Sequence, residues 1–230
     1  MVIAVDGPAG AGKSTVCRLL AQRLGFAYLD TGAMYRAVAY VMTRRGVGIS
    51  EPSEICARLN QLPLRFALEG DQLTITFQDK RLGEELRRPE VSHLASAFSQ
   101  LEGVRTFLVE WQRRLGAQGN VVAEGRDTAT VVFPDAAVKV FVTADLAART
   151  RRRLAEYEAK GVAVDFRTLE KEIEDRDRAD QERELAPLRP AEGACILDTS
   201  HLGIEEVVSR LEEIVSRKLG GDNPRCSEKK

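Results

Sequence analysis

The first fifteen residues constrain the fold more than any other stretch of the chain. The sequence opens with the apolar run "MVIAV", and after Asp6 the segment "GPAGAGKST" places three glycines, one lysine and two hydroxyl side chains within nine residues. A short, continuous apolar run is typical of a buried parallel strand. Apolar residues then recur at helical spacing: Val16, Leu19, Leu20 and Leu24. Because Gly25 is placed to end that helix, the sequence predicts a strand, a glycine-rich loop and a helix in direct succession.

The glycine-rich loop matches the phosphate-binding P-loop pattern, Gly7-x4-Gly12-Lys13-Ser14. Backbone without Cβ atoms can wrap a phosphate chain, and the N-terminus of the following helix adds positive partial charge. We expect Lys13 to reach the β- and γ-phosphates and the Ser14 hydroxyl to hold Mg²⁺. A dinucleotide-binding loop with Asp30 as the ribose acid is the rival reading, but its glycine spacing differs and Lys-Ser has no role in it. The pattern therefore predicts binding of a nucleoside triphosphate.

Strands and helices alternate along the rest of the chain. The strand candidates are "AYLD", "NVVAEGRD", "AAVKVFV" and "ACILD", and the helix candidates are "GAMYRAVAYVMTRRG", "FLVEWQRRLG", the charged region 146–184 and the amphipathic "GIEEVVSRLEEIVSRKL". Residues 64–77 differ, since apolar positions alternate on either side of an "EGD" turn and predict a hairpin insert beside the main sheet. The pattern predicts an α/β fold in which helices flank a parallel sheet.

Composition excludes several classes of function. The chain has 230 residues, 43% of them hydrophobic and 30% charged, with a net charge of −1, so it has no general attraction to nucleic acid or anionic membrane. We expect neither a spanning helix, which needs about 20 apolar residues, nor a signal peptide at "MVIAV". The cysteines are scattered: Cys17, Cys56, Cys195 and Cys226. We therefore expect no disulfide framework or zinc site, a reducing cytoplasm, and Cys17 in the core.

Arginines at segment ends or beside acids are candidates for a second phosphate site. They are Arg36, Arg105, Arg126, Arg176 and Arg183. Their planar donors suit phosphate oxygens and the charge on a moving phosphoryl group. A single such arginine is more often a solvated surface residue, and the sequence does not show whether the set converges. The basic run 149–153 has a nucleic-acid reading, but the acids that crowd 156–184 favour a solvated face or a lid.

Four stretches resemble the signature sequences of the bacterial cytidylate kinases: "DGPAGAGKST", "LDTGAMYR", "EGRDTATVVFPDA" and "RDRADQERELAPLRPA". The resemblance runs from residue 2 to about 219. It implies transfer of the γ-phosphate of ATP to CMP or dCMP with Mg²⁺, on a P-loop nucleoside-monophosphate-kinase fold. The implied single domain, 1–219, has a core at 1–57, 98–145 and 192–219, a monophosphate-binding insert at about 58–97 and a helical lid at about 146–184. We expect a disordered tail at 220–230.

The resemblance also implies roles for individual residues. The ATP phosphates are expected on Gly7, Pro8, Ala9, Gly10, Ala11, Gly12, Lys13, Ser14 and Thr15. The CMP site is expected to comprise Arg36, Arg126 and Arg183 at the acceptor phosphate, Thr31 and Asp180 near the sugar, and Ser96, Arg105 and Asp127 at cytosine. The expected catalytic residues are Lys13, Arg126, Arg176 and Arg183. The family's "GRDMG" is "GRDTA" here, which bears on the local backbone and not on Asp127.

The chemistry of cytosine agrees with these roles. A carboxylate accepts well from the N4 amino group of cytosine, whereas uracil would present an oxygen of like polarity to Asp127. From the residues alone, a plain salt bridge from Asp127 to Arg126 or Arg105 is an equal reading. Because the second pKa of a phosphomonoester is near 6, the acceptor is already an anion at neutral pH. No general base is needed, so we expect no role for His93 or His201.

Three other functions remain open at this point. One is a P-loop kinase for an alcohol such as shikimate, which would leave many arginines unused. A second is an adenylate- or uridylate-type kinase with another base pocket. The third is a regulatory protein that binds ATP without turnover. For the chain itself we expect a monomer in the cytoplasm with nucleotide ligands and neither nucleic-acid nor membrane partners.

Overall fold

The computed structural model describes residues 1–49, 52–159 and 161–220. The strands are β1 Val2–Asp6, β2 Ala27–Asp30, β3 Leu64–Glu69, β4 Gln72–Phe77, β5 Lys80–Arg81, β6 Val121–Gly125, β7 Val138–Thr143 and β8 Cys195–Asp198. The helices are α1 Lys13–Leu24, α2 Thr31–Arg44, α3 Pro52–Leu59, α4 Pro89–Phe98, α5 Glu102–Gly116, α6 Leu146–Glu158, α7 Phe166–Gln181 and α8 Ile204–Leu219. A 3₁₀ turn spans Glu84–Arg87, and a π-helical turn spans Thr128–Val132.

The described strands form one sheet with a parallel centre. Its order is β3-β4-β2-β6-β1-β7-β8, with β5 paired to β4. The neighbours from β2 through β8 in that order all run parallel, which confirms the predicted α/β fold. Because the carboxyl ends of parallel strands meet at one edge of a sheet, the loops after β1, β2 and β6 open on the same side.

Two hydrophobic cores lie on opposite faces of this sheet. Val121 and Ala123 of β6 pack with α2 and α5, whereas Val122 between them packs with α1 and α8. Successive strand residues point to opposite faces, so β6 divides the two cores and helices cover both sides. Cys17 is fully buried in the core under α1, as predicted. Among the described residues, no helix has the length and apolar character needed to cross a membrane.

The predicted strand, loop and helix at the start of the chain are confirmed. β1 ends at Asp6, α1 begins at Lys13, and the intervening loop connects them at the carboxyl edge of the sheet. α1 ends at Gly25, whose amide donates to the carbonyls of Ala21 and Gln22.

The predicted hairpin is confirmed, but its relation to the sheet differs from expectation. β3 and β4 pair antiparallel from Leu64 opposite Phe77 to Glu69 opposite Gln72. Gln72 also pairs in parallel with Tyr28 of β2, so the hairpin extends the main sheet instead of lying beside it. The sequence could not predict this pairing, because a single backbone contact between two strands does not alter the pattern of apolar residues.

The charged region 146–184 contains two helices, α6 and α7, which pack against each other. The helical prediction for this region is confirmed. The tail predicted at 220–230 lies outside the described residues from 221 onward.

Gly7 shows why the first loop residue is a glycine. A Cβ atom at this position would lie 2.0 Å from the carbonyl oxygen of Val142 in β7. The backbone at Gly7 also has φ +154°, a conformation that side chains with a Cβ rarely adopt. The loop therefore passes so close to the neighbouring strand that only glycine fits.

We predict that Gly7→Ala lowers the free energy of unfolding by about 1–3 kcal/mol or more, since the added methyl group must displace strand backbone. Gly119→Ala is the matched control, because a Cβ there meets no atom within 4 Å. Urea denaturation of the two variants measures the difference. A Gly7→Ala midpoint equal to that of Gly119→Ala would contradict the close approach to β7.

Candidate active site

A cavity of about 670 Å³ opens at the carboxyl edge of the parallel strands. The P-loop, the start of α2 and the segment after β6 line it. Residues of α4, α6 and α7 complete the lining. Concave sites at this edge of α/β sheets are the usual place for ligands. The following residues of the predicted sites line it: Ala9, Gly10, Gly12, Lys13, Ser14, Thr15, Thr31, Arg36, Ser96, Arg126, Asp127, Arg176, Asp180 and Arg183.

Lys13 lies buried at the P-loop side of the cavity. Its ammonium group donates to the carbonyl oxygen of Pro8 at 2.7 Å. Burial, together with the positive charge of Arg126, lowers the pKa of Lys13 to about 7. Nearby carboxylates therefore do not compensate the lysine charge fully, and an anionic phosphate would favour its charged form. Gly7, Pro8 and Ala11 of the predicted ATP loop do not line the cavity.

Three guanidinium groups surround the carboxylate of Asp180 in the same cavity. Arg126 Nε donates to Asp180 Oδ2 at 2.8 Å, and Arg183 Nη1 lies 3.8 Å from Asp180 Oδ1. Burial alone would raise the pKa of Asp180, but the charges of Arg126, Arg176 and Arg183 outweigh it and lower that pKa. The structure thus brings together three of the five arginines whose convergence the sequence could not show.

This arginine group carries more positive charge than its carboxylate neutralises. Burial, followed by the charge of Arg126, lowers the pKa of Arg176 to about 10. The buried Nε atoms of Arg176 and Arg183 have no hydrogen-bond partner among the described residues. Unpaired buried donors and unbalanced charge at the wall of a cavity are suited to an anion.

Arg36 and Thr31 line the cavity from the start of α2. Arg36 Nη2 donates to Asp30 Oδ2 at 2.9 Å, and Asp30 Oδ1 accepts from the Ala33 amide as the N-cap of α2. The Thr31 hydroxyl donates to the Glu124 carbonyl oxygen at 2.6 Å. Strand β2 therefore places both residues beside the end of β6.

Asp127 and Arg105 form a buried ion pair near Ser96. Arg105 also donates to the Ser99 carbonyl oxygen at 3.2 Å, and it does not line the cavity. Asp127 does line the cavity, so it is the member of the pair that a ligand can reach. The salt-bridge reading of Asp127 is thus present in the structure, with Arg105 as the partner.

Hydrogen bonds to the carboxylate of Asp6 fix the turn that follows Asp127. The carboxylate of Asp6 accepts from the amides of Thr128 and Ala129 at 2.9 and 2.8 Å, and from the Thr128 hydroxyl. Burial raises the pKa of Asp6 despite these hydrogen bonds. The "TA" that replaces the family's "MG" thus adds a hydroxyl donor to the contact that fixes the turn.

Sequence reasoning missed Glu124, Tyr35 and the position of His93. Glu124 ends the apolar run of β6, lines the cavity, and accepts from the Tyr28 hydroxyl and from Ser14. Burial and the charge of Asp30 raise its pKa. The Tyr35 hydroxyl is buried without a partner among the described residues, and the exposed His93 of α4 borders the cavity. Only Glu124 had a signal in the sequence, since it is an acid that ends an apolar run.

Comparisons with known proteins show the family to which the chain belongs. The family model for cytidylate kinase matches residues 3–217. A cytidylate kinase of Carboxydothermus hydrogenoformans is 46% identical, with 95% of this chain and 98% of that protein covered. One of Rhodococcus opacus is 43% identical, with 96% of each covered. An uncharacterized protein from Eubacterium ventriosum, 11% identical, aligns over 94% of this chain and 99% of that chain with a TM-score of 0.52, which concerns the fold alone. The chain belongs to the cytidylate kinase family.

Proposed function

We propose that the protein transfers the γ-phosphate of ATP to CMP or dCMP in a Mg²⁺-dependent reaction, giving ADP and CDP or dCDP. One observation carries this proposal: a single cavity is lined both by P-loop residues and by the arginine group around Asp180. Its volume of about 670 Å³ lies within the range of ligand-binding pockets. We further propose that the protein acts as a cytoplasmic monomer in pyrimidine nucleotide metabolism.

On the donor side, the P-loop and Lys13 bind the ATP phosphates. Lys13 exchanges its hydrogen bond with the Pro8 carbonyl oxygen for the β- and γ-phosphates, and it follows the phosphoryl group as charge moves during transfer. The N-terminus of α1 adds further positive potential at the same place.

On the acceptor side, Arg36, Arg126 and Arg183 bind the monophosphate, and Arg176 stabilises charge on the moving phosphoryl group. The acceptor oxygen is already ionised at neutral pH, so the reaction requires no base. Two anions must instead be held together and aligned, and positioning with positive charge supplies most of the rate. Thr31 and Asp180 contact the acceptor's sugar.

The oxygen donors near Ser14 fit Mg²⁺. The Ser14 hydroxyl and the Glu124 carboxylate are hard ligands that lie together at the P-loop, and Mg²⁺ commonly binds one or two such groups plus substrate phosphates. Bound Mg²⁺ would neutralise phosphate charge during transfer. Within the described residues, no cluster of three or more His, Cys, Asp or Glu could hold a metal ion by itself.

At the base end, Asp127 accepts from the N4 amino group of cytosine, and Ser96 borders the same pocket. Arg105, which does not line the cavity, acts on the base through Asp127, which it orients by their ion pair. Uracil presents an oxygen where cytosine presents N4, which Asp127 disfavours.

A substrate panel tests the function directly. We expect ADP release from ATP with CMP and dCMP, little with UMP, and none with AMP, GMP or shikimate. Lys13→Ala, purified identically, should lose turnover by about a hundredfold to a thousandfold while remaining folded, since it removes one stabilising charge from the transition state. Loss of turnover in Lys13→Ala would show that the activity belongs to the protein and not to a contaminating kinase. ATP binding without turnover on any monophosphate, or turnover on AMP alone, would contradict the proposal.

We predict that Asp127→Asn lowers the ratio of kcat/KM for CMP to that for UMP by about tenfold to a hundredfold, since one good contact discriminates bases by about 1–3 kcal/mol. The asparagine loses a charged acceptor for N4 and gains a donor for O4 of uracil. Asp135→Asn, at an exposed acid eight residues later, is the control. An equal loss on both substrates with an unchanged ratio would make Asp127 a support for Arg105 instead.

The lid predicted at 146–184 remains a proposal, and the burial of its residues supports its middle as the part that moves. Thr150 and Asp177 are buried near its two ends. Among the described residues from 153 to 172, only Leu169 is buried. Arg153, Tyr157 and Glu172 of this stretch line the cavity.

We predict that the amides of 153–159 and 161–172 gain protection from hydrogen exchange when both nucleotides bind, because closure over the cavity excludes water. Amides of 146–150 and 177–181 should be protected in both states. Mass spectrometry of exchanged peptides measures this. Equal exchange of the middle segments with and without nucleotides would show a static helical layer.

A further inference from the structure

Arg149 of α6 and Asp177 of α7 form an ion pair that the proposed chemistry does not use. Both residues are buried, at 8% and 7% exposure, and neither lines the cavity. Taking two charges out of water is costly unless further hydrogen bonds satisfy them. The partners that satisfy this pair are therefore informative about its role.

Two of those partners are backbone groups of one P-loop residue, Ala9. Its amide donates to Asp177 Oδ1 at 3.1 Å, and its carbonyl oxygen accepts from Arg149 Nη1 at 3.0 Å. The following residue, Gly10, has φ +73°, and a Cβ there would lie 3.2 Å from Arg149 Cβ. The ion pair thus holds the bend of the loop directly, and we refer to Arg149, Asp177 and Ala9 as the Ala9 clamp.

The clamp is itself tied to the sheet and to the acceptor side. Arg149 Nε donates to the Ala144 carbonyl oxygen, just after β7, at 2.9 Å. Asp177 is one residue from Arg176 and three residues from Asp180 on the same helix. Helix α7 therefore contacts the donor loop through Asp177 and the arginine group through Asp180, with rigid backbone between them.

We propose, given the function proposed above, that Arg149 and Asp177 are positioning residues for phosphoryl transfer. They act through Ala9 to fix the P-loop relative to α7, and so keep the donor phosphates in line with the acceptor arginines. Alignment of reacting groups within a fraction of an ångström contributes heavily to such reactions, and a 1 Å displacement costs about a hundredfold in rate.

Four variants separate positioning from simple structural support. Arg149→Met/Asp177→Leu removes both charges together, because removal of one partner leaves the other buried without compensation. Asp177→Asn keeps an oxygen that can accept from the Ala9 amide, whereas Asp177→Ala removes it. Glu174→Gln, at an exposed acid one turn earlier on α7, is the control.

The first measurement needs no turnover. Hydrogen exchange of peptides that cover 7–12, without nucleotide, should be about tenfold faster or more in the double variant than in the wild type or Glu174→Gln, because the loop opens locally. Equal exchange in the three proteins would overturn the proposal. Absence of transfer to CMP by the wild type would contradict the proposed function and leave this readout intact.

The second measurement separates binding from transfer. In the folded double variant we expect kcat to fall by about tenfold to a hundredfold, with KM for CMP within about twofold because the acceptor arginines are untouched. Asp177→Asn should keep most of the wild-type kcat, and Asp177→Ala should not. If the double variant does not fold, the two single variants decide. A kcat equal to that of the wild type in the folded double variant would overturn the proposal. Equal kcat values for Asp177→Asn and Asp177→Ala would overturn it as well.

Discussion

The carboxylate of Asp180 holds together three guanidinium groups that would otherwise repel one another. It binds Arg126 at 2.8 Å, lies 3.8 Å from Arg183, and interacts electrostatically with Arg176. One negative charge cannot neutralise three positive ones, and burial with the charge of Arg126 lowers the pKa of Arg176 to about 10. Further carboxylates line the same cavity, among them Asp30 and Glu124. Under the proposed function, the acceptor phosphate pairs with arginines that already stand together without it.

Parallel topology explains why the P-loop and the arginine group meet in one cavity. β1 leads into the P-loop, β2 into Thr31 and Arg36, and β6 into Arg126 and Asp127. These strands are neighbours in the sheet, and their carboxyl ends share one edge. Helices α6 and α7 then cover that edge, and the Ala9 clamp connects them to the donor loop.

Features that depend on adjacent residues could be predicted from the sequence. The P-loop follows from one strand, one loop and one helix in succession, and the alternation of strands and helices gave the α/β fold. The contact between Ala9 and Asp177 joins residues 168 positions apart, and no local pattern encodes it. For Gly7 the sequence predicted the glycine but not its full reason. The P-loop pattern assigns Gly7 to phosphate binding, whereas the structure shows that its backbone also passes too close to β7 for a Cβ atom. The same holds for Arg105, whose burial behind its ion pair depends on how α5 packs against the turn after β6.

The proposed function requires one cavity to hold donor and acceptor nucleotides with their phosphates facing each other. Calorimetric titration with adenosine and cytidine joined 5′ to 5′ by five phosphates tests this requirement. We predict one analogue molecule per chain, displaced by ATP and by CMP, with an affinity about a hundredfold or more above that of either nucleotide because linkage makes the second binding event intramolecular. Two molecules per chain, or displacement by ATP but not by CMP, would show separate sites and contradict this arrangement.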